Sequence, residues 1–404
     1  MKYLLVTYVP LFAGQSRETL RFTRRHWDDL SAQAAALAGE GFDVTLATPF
    51  FDSIDSRTLA RETFIDVPKR DWTFDYLRLP AFRTMRKFLA VRGTLLDRVA
   101  TTAADVVQLG AGGHPIPLGQ AAWEAASGRK RVFVFANDPF PALQAAITSG
   151  HNPAKRIGKK LALQRFEEFC GGELRNANLI IAHSPAVAER FKNDWDGRCH
   201  VFEPAPLRDA QLSTSPRTSS AGRPLRLIAV GDSLATAGLD HLIGAVAQAR
   251  RLSADVELDL LGNVSESEAL TSLLRSENLE PIVRLLGNPA TPEAAAKYFD
   301  EADLLLASGL IPRPFDTIFS AAARGLPMVG YAGQSPGDAL SAAGGAVTVP
   351  RGEQRLLAAA VLDLSRDRER IVHLSAAARA WAAESTLDAV HRKRAALVKG
   401  LLSR

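Results

Sequence analysis

Three short phrases in this 404-residue chain carry residue types at spacings that chemistry uses. GQSPG (333–337) fits the G-x-S-x-G turn that lifts a nucleophilic serine between a strand and a helix. The oxyanion hole of such a site uses the backbone N–H of the next residue, which here is Pro336 and has none. The missing donor would cost on the order of 3 kcal/mol at the transition state, so an ordinary turn is expected at Ser335. GAGGHP (110–115) follows the strand-like DVVQL and resembles a dinucleotide-binding loop. Its sixth position is Pro115, it is not in the first strand-helix unit, and no acidic residue ends a strand about 20 residues on. Asp194-Trp195-Asp196 has the spacing that holds a divalent cation on phosphates. It falls between a helix and the strand CHVF, at the sheet end away from ligands, and reads as a surface turn.

Metal and nucleotide-hydrolysis signatures are missing. The eight histidines and two cysteines form no H-E-x-x-H or paired C-x-x-C pattern, and Cys199 and His200 alternate across a strand. The pattern G-x-x-x-x-G-K-[ST] does not occur. No metal and no cofactor is expected.

The elements that must position any site alternate regularly. YLLVTYV (3–9), a helix over 27–41 and FDVTLAT (42–48) read as strand, helix, strand. DVVQL (105–109), RVFVFA (131–136) and NLIIAHS (178–184) continue the theme. Residues 207–223 are rich in Ser, Thr and Pro and lack a hydrophobic period, so they read as a linker. A second alternation follows in PLRLIAV (224–230), VELDLLG (256–262), PIVRLLG (281–287), ADLLLAS (302–308), LPMVGYA (326–332) and AVTVP (346–350). The expected class is α/β, with domains at 1–206 and 224–404 joined by the linker. Parallel sheets place ligands beyond the carboxyl ends of their strands, so two such domains facing one another would make a cleft for two substrates.

With 47% hydrophobic and 23% charged residues, the composition is that of an ordinary globular protein. Two cysteines exclude a disulfide framework, and no run of 18 or more apolar residues spans a membrane. A cytoplasmic setting is expected. The net charge of +5 lies entirely in the first half: residues 1–205 hold 27 Lys and Arg against 22 Asp and Glu. The basic residues cluster as Arg17, Arg21, Arg24, Arg25, then Arg78, Arg83, Arg86, Lys87, Arg92, then Lys155, Arg156, Lys159, Lys160, Arg165. The second run is interleaved with Phe82, Met85, Phe88 and Leu89. Such runs suit an anionic membrane surface or an acidic acceptor, or else a solvated helix face.

The two halves, the linker and several phrases resemble the family 4, "group 1" glycosyltransferases of GT-B fold. VGDSLATAGLDHLIGAV is similar to that family's first turn of the C-terminal domain, LLGNVSESEALTSLLRSENLEPIVRLLG to its second strand and next unit, and FSAAARGLPMVGY to its donor-site helix. PLFAGQ stands where the family has a Gly-Gly loop, and ELRNANLIIAHSPAVAERF resembles a late segment of its N-terminal domain. The resemblance implies two Rossmann-like doubly wound domains, a nucleotide-sugar donor, a glycan or lipid-linked acceptor, retention of configuration and no nucleic acid. Polysaccharide assembly at the inner face of a membrane would be the setting.

Carried over by position, the resemblance assigns the donor to Gly14, Gly231, Asp232, Ser233, Arg313, Asp316 and Ser320. The family's Arg and Lys after the first C-terminal strand are Asp232 and Ala237 here, and its two glutamates are Pro312 and Ser320. Asp232 beside a diphosphate would repel it by about 4 kcal/mol at a partly screened dielectric. Arg313 would offset that charge, Asp316 would hold the sugar and Ser320 the ribose. His114 is expected either to bind the acceptor or to cap its loop beside Pro115. Asn137 is expected to hydrogen-bond an acceptor sugar, and His114 and Asp138 are the candidates for a catalytic role. Gly14 would let the backbone approach a ligand or complete a turn. The departures leave a second reading open, a GT-B protein that has lost catalysis and serves as a binding or assembly partner.

Overall fold

A computed structural model describes residues 1–403 apart from 15, 17, 55–58, 60–61, 112–117, 137, 149–152, 203–206, 219–221, 232–237, 264–267, 290–291, 309–315 and 334–335. The chain divides into two units, Met1–Pro204 with Leu387–Arg404, and Ala205–Thr386.

The first unit contains strands β1 (Lys2–Val6), β2 (Leu11–Ala13), β3 (Thr19–Thr23), β4 (Asp43–Phe51), β5 (Phe64–Pro68), β6 (Asp75–Leu79), β7 (Val106–Ala111), β8 (Lys130–Phe135), β9 (Leu179–Ala182) and β10 (Cys199–Val201). Its helices are α1 (Arg24–Gly39), α2 (Met85–Thr101), α3 (Leu118–Ala121), α4 (Phe140–Thr148), α5 (Pro153–Gly171), α6 (Pro185–Arg190) and α7 (Lys192–Trp195). Among the described residues the sheet runs β10-β9-β8-β7-β1-β4-β2-β3-β5, with β6 on β4. The strands with near-continuous apolar runs lie in the middle, because helices cover both faces. In β8, Phe133 and Phe135 face one core with Phe88 of α2 and Phe169 of α5, while Val132 and Val134 face the other with Leu30 and Leu37 of α1.

Four strands of this sheet are absent from the sequence reading: β2, β3, β5 and β6. β3 pairs antiparallel with β2 and β5, unlike the parallel neighbours of β1. Their polar residues break the hydrophobic alternation, and the reason is visible in the pairing. Arg21 of β3 stands opposite Asp66 of β5 and donates to it at 2.6 Å, so the charges satisfy each other across the ladder.

The second unit holds β11 (Leu225–Val230), β12 (Val256–Leu261), β13 (Val283–Gly287), β14 (Leu304–Ala307), β15 (Met328–Tyr331) and β16 (Ala346–Val349), in the order β13-β12-β11-β14-β15-β16. All of these pairings are parallel. The helices are α8 (Leu239–Arg251), α9 (Glu268–Ser276), α10 (Pro292–Glu301), α11 (Asp316–Ala323), α12 (Gly337–Ala342), α13 (Gln354–Arg366) and α14 (Arg368–Ser385). The Ser/Thr/Pro segment before β11 is held to this unit through Arg217. Its guanidinium donates to the carbonyls of Phe299 at 2.8 Å and Asp300 at 3.2 Å, in the last turn of α10, and to that of Arg324 after α11 at 3.1 Å. Helix ends leave such carbonyls without a partner, and one fixed fork serves two of them.

The last helix, α15 (Leu387–Gly400), belongs to the first unit, whereas the sequence groups residues 224–404 together. It packs on α1, its Ala395 and Val398 join the core with Leu30 and Leu37, and Lys399 bonds Glu40 at 2.8 Å. The phrase HRKR masks this apolar stripe, because two of its four residues, His391 and Arg394, lie on the buried side of the helix.

Candidate functional site

In the first unit the loops after β7 and β8 are the expected acceptor positions. His114 and Asn137 lie outside the described residues, but what brackets them is described. α3 sits so close to β7 that a Cβ on Gly119 would be 2.2 Å from the carbonyl oxygen of Gly110 and 2.9 Å from its nitrogen. Gly110 and Gly119 therefore meet in a strand-helix contact that admits no side chain on Gly119. Asp138 is half-buried, and its Oδ1 accepts from the backbone N–H of Phe140 at 2.9 Å, which caps the start of α4. Gly14 lies in the β2–β3 hairpin, where a Cβ would be 2.5 Å from the Thr19 carbonyl oxygen, so the hairpin itself demands glycine.

A second polar group in this unit has no sequence signal, because its members come from three distant segments. His183 follows β9, Asp29 is on α1, and His391 and Arg394 are on α15. Arg394 and His391 are fully buried. Arg394 Nη1 donates to His391 Nδ1 at 3.3 Å, and a guanidinium can only donate. His391 Nδ1 is therefore the acceptor, and its Nε2–H donates to Asp29 Oδ1 at 2.9 Å. Burial alone would raise the Asp29 carboxyl, but the His391 hydrogen bond and the Arg394 charge outweigh it and hold Asp29 well below the usual range. Burial pushes His391 down against the pull of Asp29, and burial with the Arg394 charge pushes His183 down to about 3. His26, at the start of α1, is also lowered by burial. Nearby, Tyr3 Oη donates to Gln108 Oε1 at 2.6 Å, and Gln33 Nε2 donates to the same oxygen at 2.7 Å. His391 thus ties α15 to α1, and Gln33 ties α1 to the sheet.

The three histidines fix a sign for acid stability. The unfolded chain takes up protons near pH 6.5 that the folded first unit refuses, so stability falls as pH falls below about 6.5, by up to ~1.4 kcal/mol per pH unit for each histidine. Asp29 acts in the same direction at lower pH. The thermal midpoint is expected to drop steadily between pH 7 and pH 5, and a midpoint that is flat or rises would contradict the assignment of neutral histidines.

In the second unit two of the expected donor residues, Gly231 and Ser320, have described surroundings. Gly231 is buried directly after β11, and its N–H donates to the Leu261 carbonyl at 2.8 Å. Asp232 and Ser233 lie outside the described residues. Gly238 has φ +62, a left-handed conformation natural to glycine, and precedes α8 without a side-chain cap. The first N–H groups of α8 carry the positive end of its dipole. Arg313 is outside the described residues. Asp316 is the first residue of α11, and Ser320 lies one turn further on, half-buried on the same side of the helix.

His241 of α8 and Tyr331 of β15, which carry no motif in the sequence, meet edge to face with ring centroids 6.2 Å apart. Among the described residues, His241 Nδ1 and the Tyr331 hydroxyl are buried without a hydrogen-bond partner. Of the D-x-D phrase, Asp194 and Trp195 lie in α7 rather than in the expected surface turn, with Trp195 buried, and Asp194 forms an ion pair with Arg175.

Comparisons with known proteins agree with this architecture. The family model "Glycosyltransferase Family 4" matches residues 26–205, and "Glycosyl transferases group 1" matches residues 224–367. No curated protein sequence matches the chain. A glycosyltransferase from Rickettsia africae ESF-5 superposes with a TM-score of 0.57 at 11% identity, covering 100% of this chain and 99% of that one. Anabaena Alr3699/HepE, solved with UDP, gives 0.57 at 16% identity over 99% of this chain and 100% of its own. Sucrose-phosphate synthase from Thermosynechococcus elongatus gives 0.54 at 16% identity over 100% and 99%. With one family matched in each half and the fold shared along the whole length, the chain belongs to the family 4/group 1 glycosyltransferases of GT-B fold.

Proposed function

We propose that the protein transfers a sugar, with retention, from a nucleotide-sugar donor held by the second unit to a glycan or lipid-linked acceptor held by the first. The observation that carries the donor half is that Gly231 directly follows a central parallel strand, β11, and Gly238 directly precedes α8, a helix without a side-chain cap. That is the arrangement in which backbone N–H groups and a helix dipole receive a diphosphate. The Anabaena protein, also solved with UDP-glucose, supports this choice of ligand. Arg313 supplies the cation missing from the family's usual position, Asp316 and Ser320 bind sugar and ribose, and Gly14, Gly231, Asp232 and Ser233 border the phosphates. On the acceptor side, His114 and Asn137 bind the acceptor, and His114 or Asp138 acts at the reacting centre. The excess positive charge of the first half favours an acidic or membrane-borne acceptor at the inner face of a membrane, in polysaccharide assembly.

One set of residues favours a second reading, a binding or assembly protein without catalysis: Asp232, Ala237, Pro312 and Ser320 all depart from the family's donor markers. Calorimetry with UDP-, GDP- and dTDP-linked sugars separates the two. Binding of one donor is expected, and Arg313→Ala should weaken it about tenfold, the effect of losing a charge-assisted hydrogen bond. If every nucleotide sugar fails to bind, the scaffold reading stands instead.

A further inference from the structure

Among the described residues, the two most exposed large hydrophobic side chains are Ile157, 68% exposed, and Leu89, 62% exposed. Each belongs to a pair one helical turn apart. Met85 accompanies Leu89 on α2 and Leu161 accompanies Ile157 on α5, exposed at 44% and 46%. Both helices pack on the same face of the first sheet, through Phe88, Leu95 and Val99 of α2 and Phe169 and Cys170 of α5. At 100° per residue, Ile157 and Leu161 point away from Phe166, Phe169 and Cys170, the buried side of α5.

The charges around these pairs have one sign. Arg86, Lys87 and Arg92 on α2, and Arg156, Lys159, Lys160 and Arg165 on α5, are all exposed. Neither residues 82–96 nor residues 153–166 contain an Asp or Glu. A solvated helix face mixes signs and has no need of leucine or isoleucine at its crest. Apolar pairs ringed by Lys and Arg are what an interfacial helix presents to acyl chains and anionic headgroups.

The topology puts both pairs at one end. Crossover helices run antiparallel to the strands they connect, so α2 and α5 start at the carboxyl end of the sheet and finish at its amino end. With 19 residues, α5 is about 28 Å long, against about 20 Å for six-residue β8. Its first turns therefore overshoot the strands, and residues 156–162 are exposed all round. Among the described residues no helix is long and apolar enough to cross a membrane.

The geometry points to a docking surface, formed by the amino-terminal turns of α2 and α5, that seats the first unit on an anionic lipid bilayer. Met85, Leu89, Ile157 and Leu161 enter the headgroup region, and the seven basic residues lie against the lipid phosphates. Docking there brings a lipid-linked acceptor to the end of the sheet where His114 and Asn137 are expected. In that sense it rests on the transferase reading, but vesicle binding needs no donor and is read without any transfer.

The test is sedimentation of the full chain with phosphatidylcholine vesicles, with and without phosphatidylglycerol. Binding is expected only with phosphatidylglycerol, and it should weaken as salt is raised. Leu89→Asn with Ile157→Asn should reduce the partition coefficient about tenfold or more, and Arg156→Gln with Lys160→Gln should do the same. All four residues are exposed, and unchanged circular dichroism and donor calorimetry would show that each variant remains folded. Vesicle binding that is absent at low salt, or unchanged in both double variants, would overturn the docking surface. So would a chain that binds heparin yet leaves the vesicles behind, which would assign the basic surface to a soluble acidic glycan.

Discussion

Asp29→Ala is expected to cost the first unit about 3 kcal/mol, because it leaves the Arg394 guanidinium buried without its counter-charge. The figure sits at the low end for a broken buried pair, since the Asp29 side chain is 44% exposed and water can partly replace it. His391 would lose the acceptor for its Nε2–H as well. Urea unfolding followed by tryptophan fluorescence suits the measurement, because four of the five tryptophans, Trp27, Trp72, Trp123 and Trp195, lie in this unit. Adding Arg394→Met to Asp29→Ala should restore part of the loss, since an apolar side chain of similar length needs no partner. A single variant as stable as the parent, or a double variant less stable than the single, would show that the charges do not depend on each other.

Gly119→Ala is the second large effect, at about 3 kcal/mol, the upper end for overpacking, because the new methyl group meets backbone rather than a side chain that could move. To admit it, α3 must shift away from β7. Calorimetric unfolding should show the lower midpoint, and hydrogen exchange over residues 106–121 should quicken. Gly158→Ala in α5 is the control: a Cβ there meets nothing within 4 Å, so the change should leave stability level or raise it slightly. Equal behaviour of the two variants would remove the close strand-helix contact as a constraint.

These two sites also mark where the sequence could and could not be read. The central strands were legible because burial on both faces leaves an uninterrupted apolar signature, as in RVFVFA and VELDLLG. The β2, β3, β5 and β6 additions were not, since a cross-strand pair such as Arg21 with Asp66 looks from the sequence like loop charge. The glycine-rich phrase that begins in β7 reads as a ligand loop, yet Gly110 has a structural reason, since a Cβ there would lie 3.0 Å from the Val134 carbonyl oxygen of β8. The donor candidates Gly231 and Ser320 came from the resemblance alone; Gly231 follows β11 and Ser320 lies in α11, positions that carry no donor motif of their own. The Asp29, His183, His391 and Arg394 group was invisible, because residues more than 360 positions apart carry no shared period or motif.

The second unit is an insertion in the first, entering after Pro204 and leaving before Leu387. During synthesis the ribosome finishes the ten strands of the first sheet early but delivers His391, Arg394, Ala395 and Val398 only after the whole insertion. At typical elongation speeds that interval is roughly 10 to 40 s, during which the inner side of α1, with Leu30, Leu37 and Gln33, has no cover. The later-made unit is contiguous and can fold as soon as it emerges, so the part translated first is the part completed last, and chaperone demand should fall on the nascent N-terminal lobe.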